Sequence, residues 1–82
     1  MMANYQELVK YIVDHLVTIP DQVEITTEVN DRGIVMVLIK VASEDVGRVI
    51  GKRGATINAI RLVAKAAAVK ENERVEVDIE AD

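Results

Sequence analysis

The sequence predicts an α+β domain: a two-layer sandwich in the order α-β-β-α-α-β, with a three-stranded sheet packed on three helices. Three observations lead there. Residues 4–17 and 55–70 repeat apolar side chains at helical spacing. Residues 23–29 and 75–80 alternate apolar with polar, mostly acidic, side chains at the period of a strand with one face in water. Ile34 to Val41 is a nearly continuous β-branched and apolar run that fits a central strand. Three helices cover one face of such a sheet and leave the other wet.

In chain order, Tyr5, Leu8, Val9, Ile12, Val13 and Leu16 recur at i, i+3, i+4, i+7, so Asn4 to Val17 should form an amphipathic helix, with Asn4 and Glu7 as a capping pair. Pro20 and Asp21 end it and turn the chain. Val23, Ile25, Thr27 and Val29 then face inward, and Glu24, Thr26 and Glu28 outward. The turn formers Asn30-Asp31-Arg32-Gly33 join this strand to the central one as a hairpin. Ser43 is placed to cap the next helix, with Glu44 and Asp45 in its first turn where the dipole favours acids. That short helix ends at Gly51, a second runs over 55–70, and Glu71-Asn72-Glu73 breaks it before the last strand.

An 82-residue chain has room for one small domain, 1–82, that buries only about 60% of its unfolded surface. A large enclosed active site is not expected. With no Cys, there is neither a disulfide framework nor a thiolate metal site, and the expected compartment is the cytoplasm. The longest unbroken apolar run, Ile34 to Ile39, is far short of the ~18 residues of a membrane span, and no leader pattern precedes it. His15 has no second His or Cys with which to share a metal, and no acid–base pair is visible, so neither an enzyme nor a cofactor is expected. Gly47, Gly51 and Lys52 do not make a nucleotide-binding P-loop. Three residues rather than four separate the glycines, and Arg53 stands where Ser or Thr is required.

The functional signal is Gly51-Lys52-Arg53-Gly54. Val46, Val49 and Ile50 before it and Ile57, Ile60 and Ala64 after it lie at helical spacing, which makes it a tight turn between two helices. The glycines let the main chain press against a thin, charged ligand, and the second helix begins where Lys52 and Arg53 stand. The net charge of -4 conceals a segregation. From Val46 to Lys70 there are six cations and no acid, a local +6, and the remainder of the chain carries -10.

These residues resemble a K homology (KH) domain, whose signature is an isoleucine-glycine-x-x-glycine loop between two helices. Ile50-Gly51-Lys52-Arg53-Gly54 followed by Ile57 and Ile60 carries that pattern. The element order resembles the type II arrangement, and at this length the chain is most similar to the small single-KH proteins of bacteria, the KhpA type. The resemblance implies a groove that clamps about four nucleotides of single-stranded RNA against Gly51, Lys52, Arg53 and Gly54. It also implies an RNA chaperone or post-transcriptional regulator, and association with a larger KH-containing protein of the KhpB type. Arg48, Asn58 and Arg61 join the candidate site by helical reach from the loop. Ala55 departs from the pattern by offering only its backbone N–H, and with two Tyr as the sole aromatics, base stacking should contribute little.

A second apolar strip runs along 55–70. Ile57, Ile60, Ala64, Ala67 and Ala68 suffice to cover the sheet, yet Leu62, Ala66 and Val69, flanked by Ala59 and Val63, lie opposite. Either the other two helices cover this strip, or it is the interface of a two-fold homodimer in which small Ala side chains let two copies approach. The competing functional reading is a protein-interaction module whose basic helix pair binds an acidic partner.

Overall fold

Tyr5, Val9 and Val13 sit on one face of a ten-residue helix and are buried by it. The computed structural model, which describes residues 4–80, sets this helix, α1 (Tyr5–Asp14), on a sheet of β1 (Glu24–Val29), β2 (Val35–Lys40) and β3 (Val75–Ile79). The short α2 (Val46–Ile50) and the long α3 (Ala55–Lys70) lie between β2 and β3. The order is α-β-β-α-α-β, as the type II resemblance implies. β2 is central, antiparallel to β1 and parallel to β3.

The inward face of β2, Val35, Val37 and Ile39, meets Val9 and Val13 of α1, Val49 of α2, and Ile57, Ile60, Ala64 and Ala68 of α3 in one core. Branched aliphatics and Ala fill it, which keeps the two layers close. Tyr5 is its one aromatic, 3% exposed, with its hydroxyl donating to Glu73 Oε1 at 2.8 Å. Burial and then the Glu73 carboxylate push the Tyr5 pKa up to about 12. The outward face carries Glu24, Glu28, Glu76 and Asp78 around Met36 and Leu38.

One side chain reaches each free edge of the sheet. Gln6 Nε2 donates to the Ile25 carbonyl of β1 at 2.7 Å, and Arg61 Nε to the Val77 carbonyl of β3 at 2.9 Å. Such contacts blunt the edges as templates for another strand.

Several local expectations need adjustment. α1 ends at Asp14 rather than Val17, although Leu16 and Val17 still pack against the core. Asn4 Oδ1 caps it, accepting from Glu7 N–H at 3.1 Å. Thr27 and Val29, expected to face inward under cover, are exposed, Val29 at 60%, because the far end of β1 runs past the helices. The hairpin turn is held by Asn30, whose side-chain oxygen accepts from Arg32 and Ile34 N–H. Ser43 does not cap a helix: residues 43–45 form a 3-10 turn without a side-chain cap. Asp45, expected in a first helical turn as an acid complementing the dipole, is fully buried, because its carboxylate is turned onto the chain after α1.

Candidate nucleic-acid interface

α2 can run for only five residues because Gly51 leaves the helix with φ 76 and ψ 171, a region essentially closed to residues with a Cβ. Lys52 to Gly54 then make one 3-10 turn in which Arg53 (φ 57) and Gly54 (φ 78) are left-handed. Gly54 has no side chain to cap α3, and the Ala55 N–H donates back to the Lys52 carbonyl, so the helix begins directly on the loop with no side-chain cap on its first turn. Lys52 and Arg53 are exposed there and, among the described residues, form no salt bridge. The result is an outward main-chain turn, two free cations and a helix N-terminus at one point, an arrangement suited to a phosphate.

The two glycines have different reasons to be there. A Cβ on Gly51 would overlap Thr56, including its backbone N at 2.7 Å, so the loop is folded tightly onto the first turn of α3. A Cβ on Gly54 would meet only ordinary contacts, the nearest being Asn58 Nδ2 at 3.7 Å. Gly51→Ala should therefore destabilise the domain by about 2 to 4 kcal/mol, and Gly54→Ala by only about 1 to 2 kcal/mol. Urea denaturation of the two variants measures the difference.

Of the residues reached from the loop, Asn58 stands over Gly54, but its Oδ1 accepts from Arg61 Nη1 at 3.0 Å. The Arg61 guanidinium also holds the Val77 carbonyl and lies 3.5 Å from Asp78. A strand that contacted Arg61 would have to exchange those partners. The Arg48 side chain is 59% exposed and lies 3.7 Å from Asp45.

Asp45 is the polar residue that sequence reasoning missed. One oxygen accepts from Thr18 N–H (3.0 Å) and Oγ1–H (2.8 Å), the other from Ile19 N–H (3.0 Å). Burial alone would raise its pKa; the bonds from Thr18 and Ile19, with Arg48 nearby, outweigh that and hold the carboxyl below the usual aspartate value. The latch ties the chain after α1 to the start of α2, one short helix from Gly51. Its partners lie 26 and 27 residues away, so no local pattern could have revealed it.

The second apolar strip of α3 is bare. Leu62 is 71% exposed and Val69 78%, with Ala59, Val63 and Ala66 exposed beside them. α1 and α2 pack beside α3 without reaching this face, so the covered alternative does not hold within one copy. Among the described residues no helix is long and apolar enough to cross a membrane, and no group of three or more His, Cys, Asp or Glu is placed to hold a metal.

Comparison with known proteins agrees with this geometry. The family described as KhpA/KhpB, KH domain, matches residues 6–79. A protein of Clostridium acetobutylicum named RNA-binding protein KhpA is 49% identical over 74 residues, covering 90% of this chain and 97% of the relative. Its namesake from Caldanaerobacter subterraneus subsp. tengcongensis is 49% identical over 89% of this chain and 96% of its own. The one from Borreliella burgdorferi is 37% identical over 94% and 93%.

Proposed function

The chain belongs to the KhpA/KhpB KH-domain family, and from that premise we propose that it binds single-stranded RNA, clamping about four nucleotides at Gly51 to Gly54. The observation that carries this reading is the pair of unpaired cations, Lys52 and Arg53, on an outward turn at the start of α3. Asn58 and Arg48 flank the path, and Arg61 joins it by releasing the β3 edge. Tyr5 is buried and Tyr11, though exposed, lies on α1 against the His15 ring and not on either helix that frames the loop, so stacking adds little and a single clamp binds weakly.

The bare strip on α3 supports a second part of the proposal, a two-fold homodimer through Ala59, Leu62, Val63, Ala66 and Val69. Two clamps in one particle raise affinity through effective concentration. In the cell this is a cytoplasmic RNA chaperone or post-transcriptional regulator. The family's shared description with KhpB supports a complex with such a larger KH protein.

The salt dependence of RNA binding tests the reading. Each phosphate neutralised on a single strand contributes about 0.7 to the slope of log K against log salt. Two loop cations give about -1.4, and all six cations of 46–70 about -4. A slope within that range supports one clamp per strand, and a steeper one means that more than one domain engages it. Salt-insensitive retention together with a saturable protein partner that survives RNase would favour the protein-interaction module.

A further inference from the structure

Among the described residues Asp45 is the only buried polar or charged side chain, and nothing in the clamp itself uses it. Thr18 and Ile19 supply three donors to its two oxygens, at 2.8 to 3.0 Å. A buried carboxylate is a costly way to fill space, since apolar atoms of the same volume often serve stability as well or better. Charge-assisted hydrogen bonds do what apolar packing does not: they are directional and fix an angle.

What they fix here is α2. It has five residues, too few to hold a helical shape unaided, and it enters the core through Val49, with Val46 and Ile50 half-buried. At its far end Gly51 is pressed onto Thr56 of α3, and at its near end Asp45 is bonded to the chain after α1. Arg48 stands three residues past Asp45, with its Nε 3.7 Å from Asp45 Oδ1 and 59% of its side chain exposed to a ligand. The carboxylate that orients α2 therefore also draws on the guanidinium.

We propose that Asp45 is a positioning residue for RNA binding: its bonds to Thr18 and Ile19 fix the rotation of α2, and thereby the place at which Arg48 and the turn from Gly51 to Gly54 meet the strand. The inference rests on the RNA-binding reading above and gives Asp45 no contact with RNA. A loop already in place loses less freedom on binding than one that its ligand must order. The direction of the effect separates positioning from charge. Asp45 is an anion beside a site for a polyanion, so neutralising it would strengthen binding through the field alone. Loss of positioning weakens binding instead.

The test is Asp45→Asn on the full chain, with Thr18→Val and Thr18→Ser beside it, titrated with a four-nucleotide oligouridylate where circular dichroism shows each protein folded. Asn keeps the shape of Asp but sets an NH2 group where a donor already points. Asp45→Asn should bind about tenfold more weakly, with a salt slope shallower by about 0.7 as the Arg48 contact is lost. Thr18→Val removes one of the three bonds and should bind about threefold more weakly, whereas Thr18→Ser keeps the hydroxyl and should match the unmodified protein. Hydrogen exchange at Gly51, whose N–H donates to the Gly47 carbonyl at 2.9 Å, should quicken more than in the central strand. A purely structural role predicts faster exchange throughout and an unchanged affinity of the folded protein. Folded Asp45→Asn that binds as tightly as the unmodified protein, or more tightly, overturns the positioning role while the clamp stands. Should Asp45→Asn not fold, Thr18→Val decides, because Thr18 is exposed and its replacement leaves the core intact: undiminished binding overturns the role. No binding by the unmodified protein overturns the clamp, and the positioning role with it.

Discussion

A protein carrying Lys52→Asp and Arg53→Asp is expected to lose single-stranded RNA binding by at least about a hundredfold while unfolding within about 0.5 kcal/mol of the unmodified chain. Both side chains are exposed and unpaired, so their replacement removes no internal contact. Arg53 is left-handed, φ 57, and Asp accepts that conformation at least as readily as Arg, so the backbone of the loop is not strained further. What changes is the field at the clamp: two attractive charges become two repulsive ones at the point where a phosphate would rest. Fluorescence anisotropy of a labelled strand and urea denaturation read the two quantities separately. Unaltered affinity and salt slope would remove the clamp from Gly51 to Gly54.

Leu62→Glu is expected to convert a two-fold dimer into a folded monomer of about half the mass. In one copy the Leu62 side chain touches water over most of its surface, so the substitution should cost the monomer no more than about 0.5 kcal/mol. In the dimer the same position is buried twice, and two carboxylates would have to be desolvated near each other. That penalty, several kcal/mol, raises the dissociation constant by at least about a hundredfold. RNA affinity should fall with it, because one particle would then present one clamp instead of two. Ala66→Glu should act in the same way. Sedimentation of the unmodified protein at micromolar concentration as a ~9 kDa species would contradict the dimer.

The sequence made the element order readable because three signals agreed: helical spacing in 5–14 and 55–70, strand alternation in 75–79, and an apolar run at the central β2. The glycine loop was readable for a local reason, since it rests on two glycines only three apart, Gly51 and Gly54. The bare strip on α3 followed from helical spacing, but whether neighbouring helices covered it depended on where α1 and α2 packed. Asp45 was read only as an acid complementing a helix dipole because a carboxylate at the start of a helix looks the same whether it faces water or a distant loop. Its burial is a tertiary fact, fixed by Thr18 and Ile19. The exposure of Thr27 and Val29 has a similar origin: alternation tells which face a side chain takes, not how far the covering layer extends. Arg61 joined the candidate site by helical reach alone, and its engagement with the Val77 carbonyl depended on β3 being an edge strand beside α3.

The measurement that tests the account most directly is a titration of isotope-labelled protein with a four-nucleotide oligouridylate, followed by amide nitrogen–proton correlation spectra. The clamp predicts that the amides of Gly51 to Asn58 shift most, in a saturable manner, while those of the outward sheet face at Thr26, Glu28 and Leu38 stay in place. Shifts confined to the sheet face, or none at 51–58 at saturating RNA, would contradict it.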